Sequence, residues 1–194
     1  MDSSVYRRPN KPFRCTMNIV PEKVIVDSVD IEKPIILHRS SECHVTPDNL
    51  ADIMAQRAVA AVGTDGNFLE PQCGTGNLVK AMLRHGVELD RITGVEREQS
   101  LVSALRGNIP LLRVENDDFL EWKSTLKYDA ILTNPPFRYL RHHIKRAMEL
   151  RSNNGIIVAL VPVTFDMPGW KTVYHCNTDD FALVKVRTKI VEFC

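Results

Sequence analysis

No apolar run in the 194 residues approaches the roughly 20 residues that a bilayer span needs, and Met1 to Asn10 are polar and charged where a signal peptide would carry its apolar stretch. A soluble, cytoplasmic protein is expected. Neither sign of charge dominates: 25 Lys and Arg against 24 Asp and Glu leave a net charge of +1, which excludes a strongly basic tail protein or an acidic solvating segment. Any affinity for nucleic acid is therefore local. Paired cysteines are lacking too. Cys15, Cys43, Cys73, Cys176 and Cys194 are odd in number, scattered and without a C-x-x-C pair, so they read as reduced thiols. His38, Cys43 and His44 come nearest to a metal cluster, but nothing downstream supplies a second half, and no metal is expected. Repeats and low-complexity tracts are also missing, and the length suits one core.

What is present divides near residue 45. Residues 1–45 read as a basic arm with short strands: Arg7, Arg8, Lys11 and Arg14 stand among Pro9, Pro12 and Pro21, followed by the β-branched runs Val24 to Val26 and Ile35 to Leu37. From Thr46 the pattern sharpens. Thr46, Pro47 and Asp48 read as an N-cap, a first-position proline and an early acid, ahead of Leu50, Ile53, Met54, Ala58 and Ala61 at helical spacing. Beyond Gly63, strand-like and helical stretches alternate. Strands are predicted at Asn67–Glu70, Arg91–Glu96, Leu111–Glu115, Tyr128–Thr133, Ile156–Val161 and Phe181–Val186. Helices are predicted at Leu78–His85, Gln99–Arg106 and Arg138–Arg151. Such alternation predicts an α/β fold, a Rossmann-like, doubly wound and mostly parallel sheet occupying 46–194. Ligands of such sheets bind beyond the carboxyl ends of the strands.

Three strand ends carry chemistry. The first runs through Glu70 and Pro71 into Gly74-Thr75-Gly76, where missing side chains admit a ligand to the backbone and the next helix presents unpaired N–H groups. A nucleoside-bearing cofactor fits there, although a G-x-G alone is also an ordinary turn, and Val79 stands where a dinucleotide fingerprint has its third glycine. Glu96 ends the second strand 20 residues after Gly76, placed either to accept from ribose hydroxyls or as a solvated strand end. Asp117-Asp118-Phe119 after the third strand reads equally as an adenine site or as an N-cap followed by a core ring. The fourth strand runs into Asn134-Pro135-Pro136-Phe137. Prolines lack N–H donors and fix φ, so the Pro135 carbonyl and the Asn134 amide oxygen form two stiff acceptors suited to one NH₂ group, with Phe137 available to stack on its ring.

Taken together, E-P-x-x-G-x-G, an acid ending the next strand, D-F-L after the third and N-P-P-F after the fourth resemble the class I S-adenosylmethionine-dependent methyltransferases. Among these they are most similar to DNA adenine-N6 methyltransferases of bacteria, phages and plasmids. The resemblance runs from about Thr46 to Phe165. It implies that Thr46, Pro47, Glu70, Pro71, Gly74 and Gly76 hold the methionine and sugar of S-adenosylmethionine, Glu96 its ribose, and Asp118 with Phe119 its adenine. Asn134, Pro135, Pro136 and Phe137 would receive a flipped adenine, walled by Pro162 and Phe165. Base flipping costs a few kcal/mol, partly offset by stacking on Phe137. Two departures stand out. Only about 57 residues follow Phe137, so no separate target-recognition domain is expected, and an incomplete closing hairpin is expected, with Phe181–Val186 as the sixth strand and Lys189–Phe193 at most opening a seventh.

Arg138, Arg141, His142 and Lys145 share one predicted helix face at the pocket mouth, opposite Leu140, Ile144, Ala147 and Met148. Arg138, Arg141 and Lys145 are the candidate phosphate contacts, against the alternative of a solvated face. His142 and His143 read as surface residues, Trp122 and Trp170 as packing. The competing functions are methylation of an RNA base, methylation of a protein glutamine, and an inactive cofactor- or nucleic-acid-binding module.

Overall fold

The computed structural model describes residues 45–177 and 187–194, together with the backbone of two short strands, β1 (Arg14–Cys15) and β2 (Ile35–Ile36). The chain divides into two units, Met1–Cys43 and His44–Cys194. In the first, β1 and β2 pair antiparallel, Arg14 opposite Ile36. The expected strand at Val24–Val26, the arm residues Arg7, Arg8 and Lys11, and the cluster of His38, Cys43 and His44 lie outside the described residues.

The second unit is built on strands whose apolar residues alternate between two covered faces. Its elements are α1 (Asp48–Val62), β3 (Phe68–Glu70), α2 (Asn77–Arg84), β4 (Ile92–Glu96), α3 (Gln99–Asn108), β5 (Arg113–Asn116), β6 (Tyr128–Thr133), α4 (Leu140–Leu150), β7 (Arg151–Pro162), β8 (Lys171–His175) and β9 (Thr188–Phe193). They form one seven-stranded sheet, ordered β5-β4-β3-β6-β7-β9-β8. Phe68, Ala130, Leu132, Ile156, Val158 and Leu160 point to the face covered by α1, α2 and α3. Their neighbours Leu69, Ile131 and Ile157 point to the other, where Ala147 and Leu150 of α4 pack with Phe119, Trp122 and Tyr128. A period of two with both faces apolar is what a sheet sandwiched between helices requires.

The five strands β3 to β7 run parallel, so their carboxyl ends share one edge. Strand order reverses at β3, flanked by β4 on one side and β6 on the other, and the β3–β6 pairing of Phe68 with Ala130 and Leu69 with Ile131 brings the two following loops side by side. The Rossmann-like, doubly wound reading is thus what the chain adopts.

The closing hairpin corrects the expectation of an unfinished sheet. β9 spans six residues and pairs antiparallel with β7 from Ile157–Phe193 to Pro162–Thr188, and β8 pairs on its other side. The sixth strand is Lys171–His175. As an edge strand with no fully buried residue and a Lys-Thr-Val-Tyr-His sequence, it carries almost no apolar signal, whereas the whole of Phe181–Val186 lies outside the described residues. Glu192 of β9 is buried and receives a forked hydrogen bond from Arg57 of α1, at 2.7 to 3.0 Å, which ties the hairpin to the first helix.

The loop after β3 is seated by a steric fit. Cys73 donates its backbone N–H to Val95 O of β4 (2.9 Å), and its thiol lies against Gly94, where an added Cβ would collide with Sγ. We expect Gly94→Ala to cost about 1–3 kcal/mol in urea unfolding through overpacking. In a Cys73→Ala background, which removes the colliding sulfur, the same substitution should cost little. Equal losses in both backgrounds would show that the loop is not seated this way.

Candidate functional site

Glu70 sits at the carboxyl end of β3, 3% exposed, and its Oε2 accepts from the Val79 N–H (3.0 Å) in the first turn of α2. The carboxylate thereby satisfies a helix-end donor that has no partner within the helix. Between them the chain turns through Gly74 (φ 51°) and Gly76 (φ 78°), both in the left-handed region that glycine adopts without strain. Glu96, at the end of β4 and 8% exposed, closes the loop from the other side. Its Oε2 accepts from Gly74 N and its Oε1 from Glu98 N, each at 2.8 Å. Burial raises the pKa of both glutamates. For Glu70 the Val79 N–H opposes the shift and the Glu96 charge adds to it, while for Glu96 the Glu98 and Gly74 N–H groups oppose it. Burial and the two neighbouring carboxylates push the Cys73 thiol up as well, keeping it protonated and unreactive.

Two buried acids beside one glycine loop raise the question of what compensates them. Burial, backbone N–H groups and other carboxylates are what act on them, and among the described residues no basic side chain pairs with either. A ligand bringing its own positive charge and hydroxyl donors suits such a place. S-adenosylmethionine has a sulfonium, an ammonium and a ribose, so the donor set fits it.

After β5, Asp118 makes an Asx turn. Its Oδ1 accepts from Leu120 N (2.9 Å), and its Oδ2 lies 3.8 Å from Arg97 Nη1 at the end of β4. Phe119 is 3% exposed, packed with Trp122 and stacked on His143 at 6.0 Å between centroids, so its ring forms part of the core. Asp117 instead lines an open depression of 450 Å³ with Glu115, Asn116, Glu121, Trp122 and Lys123.

The loop after β6 places Asn134 half-buried, Pro135 buried, and Pro136 and Phe137 half-buried. Asn134 donates from Nδ2 to Thr46 Oγ1 (3.1 Å), so the amide's acceptor end is Oδ1. Thr46 is therefore not the helix cap that its sequence context implied. α1 starts at Asp48 with Pro47 before it, Ala51 N–H bonds to Pro47 O (2.9 Å), and the threonine hydroxyl is turned to Asn134. The carbonyl of Thr46 in turn accepts from Asn77 Nδ2 (3.0 Å), whose Oδ1 accepts from Thr75 Oγ1 (3.0 Å). A continuous hydrogen-bonded path thus joins the glycine loop to the asparagine. Pro162 is half-buried at the end of β7, and Phe165 packs edge-on against Trp170.

Arg138, Arg141, His142 and Lys145 are exposed on one side of the segment, and Ile144 and Ala147 are buried on the other. Arg138 lies over the exposed Tyr139 ring (5.3 Å), and Arg141 donates to Asp166 O (3.3 Å). His143 departs from its expected surface position. It is 7% exposed, and burial, opposed by the Asp118 charge, lowers its pKa to about 4, so it is neutral near pH 7. Gln72, which sequence reading passed over, meets it through a hydrogen bond of 3.0 Å and in turn accepts from the hydroxyl of Thr133, also passed over, at 2.6 Å. The signal for His143 was available: Leu140, His143, Ala147 and Leu150 follow helical spacing along the apolar stripe. Among the described residues no helix is long and apolar enough to cross a membrane, and no group of three or more His, Cys, Asp or Glu is placed to hold a metal.

A carboxylate with a raised pKa takes up its proton at higher pH than an ordinary glutamate, and the protonated form no longer attracts a cation. Titration calorimetry at successively lower pH should therefore show S-adenosylmethionine affinity falling as Glu96 protonates, at a pH above the ordinary glutamate range. Glu96→Gln should bind more weakly where the parent carboxylate is ionised and depend less on pH. Affinity independent of pH in the parent would contradict this assignment.

The known proteins to which the chain is similar are methyltransferases. Trans-aconitate 2-methyltransferase of Sinorhizobium medicae (strain WSM419) is 26% identical over 107 residues, covering 54% of this chain and 41% of that enzyme. The type II methyltransferase M.CvrRI of Paramecium bursaria Chlorella virus XZ-6E is 33% identical over 113 residues, covering 57% and 28%. The chain thus spans less than half the length of these curated relatives. In structure it is similar to a type I restriction-modification system methyltransferase subunit from Streptococcus thermophilus, with a TM-score of 0.64, 16% identity and coverage of 79% of this chain and 46% of that one. Residues 41–153, more than half of the chain, match the Methyltransferase small domain family. The chain belongs to that family, and its glycine loop and two buried carboxylates fit the family's cofactor, S-adenosylmethionine.

Proposed function

We propose that the chain transfers a methyl group from S-adenosylmethionine to the exocyclic N6 amine of adenine in DNA. The observation that carries this reading is the position of Asn134. It heads an N-P-P-F loop beside the glycine loop and is held by Thr46, so that its side-chain oxygen is the acceptor. When bound, the cofactor supplies an electrophilic methyl on a sulfonium. Thr46, Glu70, Gly74, Gly76 and Glu96 hold its amino-acid and sugar portions, and the Asp118 turn holds its base. Pro47 and Pro71 stiffen the chain on either side of this cradle. Phe119 supports the turn from beneath.

An adenine amine is a poor nucleophile because its lone pair is delocalised into the ring. Oδ1 of Asn134 and the carbonyl of Pro135 accept its two N–H bonds and favour a pyramidal nitrogen. Pro135 and Pro136 keep that loop stiff, and Phe137 stacks on the base. Positioning of this kind carries most of the rate enhancement, so no separate catalytic base is needed before transfer. Arg138, Arg141 and Lys145, exposed next to the loop, face the phosphates flanking a flipped base. Likeness to a type II methyltransferase, 33% identical over 57% of this chain, supports the choice of DNA as acceptor.

The test is incubation of the protein with methyl-labelled cofactor and unmethylated DNA, RNA and protein pools. We expect label in DNA, recovered as N6-methyladenine. Asn134→Ala should lower transfer by at least about a hundredfold while cofactor binding stays within a few-fold. Asp118→Ala should weaken the cofactor instead. Label in RNA or in glutamine would replace the substrate, and cofactor binding with no label in any pool would identify a binding module.

A further inference from the structure

Gln72 lies within the loop that follows β3, two residues before Gly74, and its amide is engaged at both ends. Thr133, the last residue of β6 and the neighbour of Asn134, donates its hydroxyl to Gln72 Oε1 at 2.6 Å. Gln72 Nε2 donates to His143 Nδ1 of α4 at 3.0 Å. On the opposite side of the same loop, the Cys73 N–H is bonded to Val95 O of β4. The loop is therefore held towards both strands that flank β3.

We propose that Gln72 is a positioning residue, a strut from Thr133 to His143 that holds the glycine loop in the shape S-adenosylmethionine requires.

The direction of the chain is determined. An amide oxygen only accepts and an amide NH₂ only donates, so His143 offers a lone pair at Nδ1 and carries its proton on Nε2. Burial keeps the imidazole neutral, and its pKa of about 4 places that state across the physiological range. The groups that act on it are Asp118, which favours protonation, and His142 and Arg97, which oppose it. Phe119 stacks on the imidazole and sets its plane, at an interplanar angle of 9°. An apolar side chain at position 72 would leave the Thr133 hydroxyl and the His143 nitrogen without their shared partner at the edge of the core, and the loop would lose its tie on the β6 side.

The inference rests on this site holding S-adenosylmethionine, and its test needs no methyl acceptor, so failure to methylate nucleic acid and failure of the strut are separate results. Cofactor affinity is measured by calorimetry on the full chain for Gln72→Leu, His143→Phe, their double variant and Gln72→Glu. His143→Phe keeps the ring stack and removes the acceptor. We expect each single variant to bind about tenfold more weakly and the double variant to be no more than about twofold worse than the weaker single, because both break one chain. Gln72→Glu keeps an acceptor for Thr133 and, by shifting the imidazole proton to Nδ1, a bond to His143. It should bind within about threefold of the parent, a rescue that general damage to the fold would not produce. The proposal is overturned if Gln72→Leu binds within about twofold of the parent, if the double variant loses the product of the two single losses, or if Gln72→Glu is as weak as Gln72→Leu.

Discussion

The parallel pairing of β3 with β6 sets everything at the working edge of this molecule. Where strand order reverses, two loops emerge side by side from neighbouring strands, one rich in glycine and one stiffened by two prolines. Sheet geometry alone would bring them near each other; hydrogen bonds align them. One path runs from Thr75 through Asn77 and Thr46 to Asn134, and a second from His143 through Gln72 to Thr133. Methyl transfer tolerates little misplacement, and about 1 Å can cost a hundredfold in rate. Two short chains of neutral hydrogen bonds between the loops suit that demand, since each also satisfies polar groups that burial would otherwise leave unpaired.

Electrostatics sharpen the same point. Glu70 and Glu96 are withdrawn from water beside one another, each stabilised by backbone N–H groups of the loop and helix it supports. Ionising them costs the folded state free energy, which a ligand carrying positive charge recovers on binding. Their raised pKa values therefore mark burial that the fold itself leaves without a basic partner among the described residues, whereas the forked Arg57–Glu192 pair is structural and joins α1 to the closing hairpin. The loop itself depends on a missing side chain, because only glycine at position 94 leaves room for the Cys73 thiol.

Much of this was legible in the sequence, for local reasons. The doubly wound sheet follows from alternating short apolar runs and helical stripes, and the glycine loop, Glu96 and the N-P-P-F segment each end a strand whose pattern is clear. The unread parts depend on neighbours distant in sequence. Thr46 has the form of a helix cap, but its hydroxyl is turned to Asn134, 88 residues away. His143 was masked by His142 beside it: one helical step separates an exposed imidazole from a buried one. Lys171–His175 forms a strand because β9 offers it a partner, and as an edge strand it needs few apolar residues. Gln72 fills an unspecified position of the E-P-x-x-G-x-G run, and its role emerges only when β6 and α4 close around it.

The central claim is that the glycine loop and the asparagine loop serve one reaction centre. A crystal structure with a cofactor analogue bearing an amine in place of the methyl-sulfonium group tests it most directly. The account predicts the nucleoside and amino-acid portions lying along Gly74 to Gly76, with the amine within hydrogen-bond reach of the Asn134 side-chain oxygen or the Pro135 carbonyl. An analogue seated in that loop with its amine turned away from both acceptors, or bound elsewhere on the protein, would contradict it.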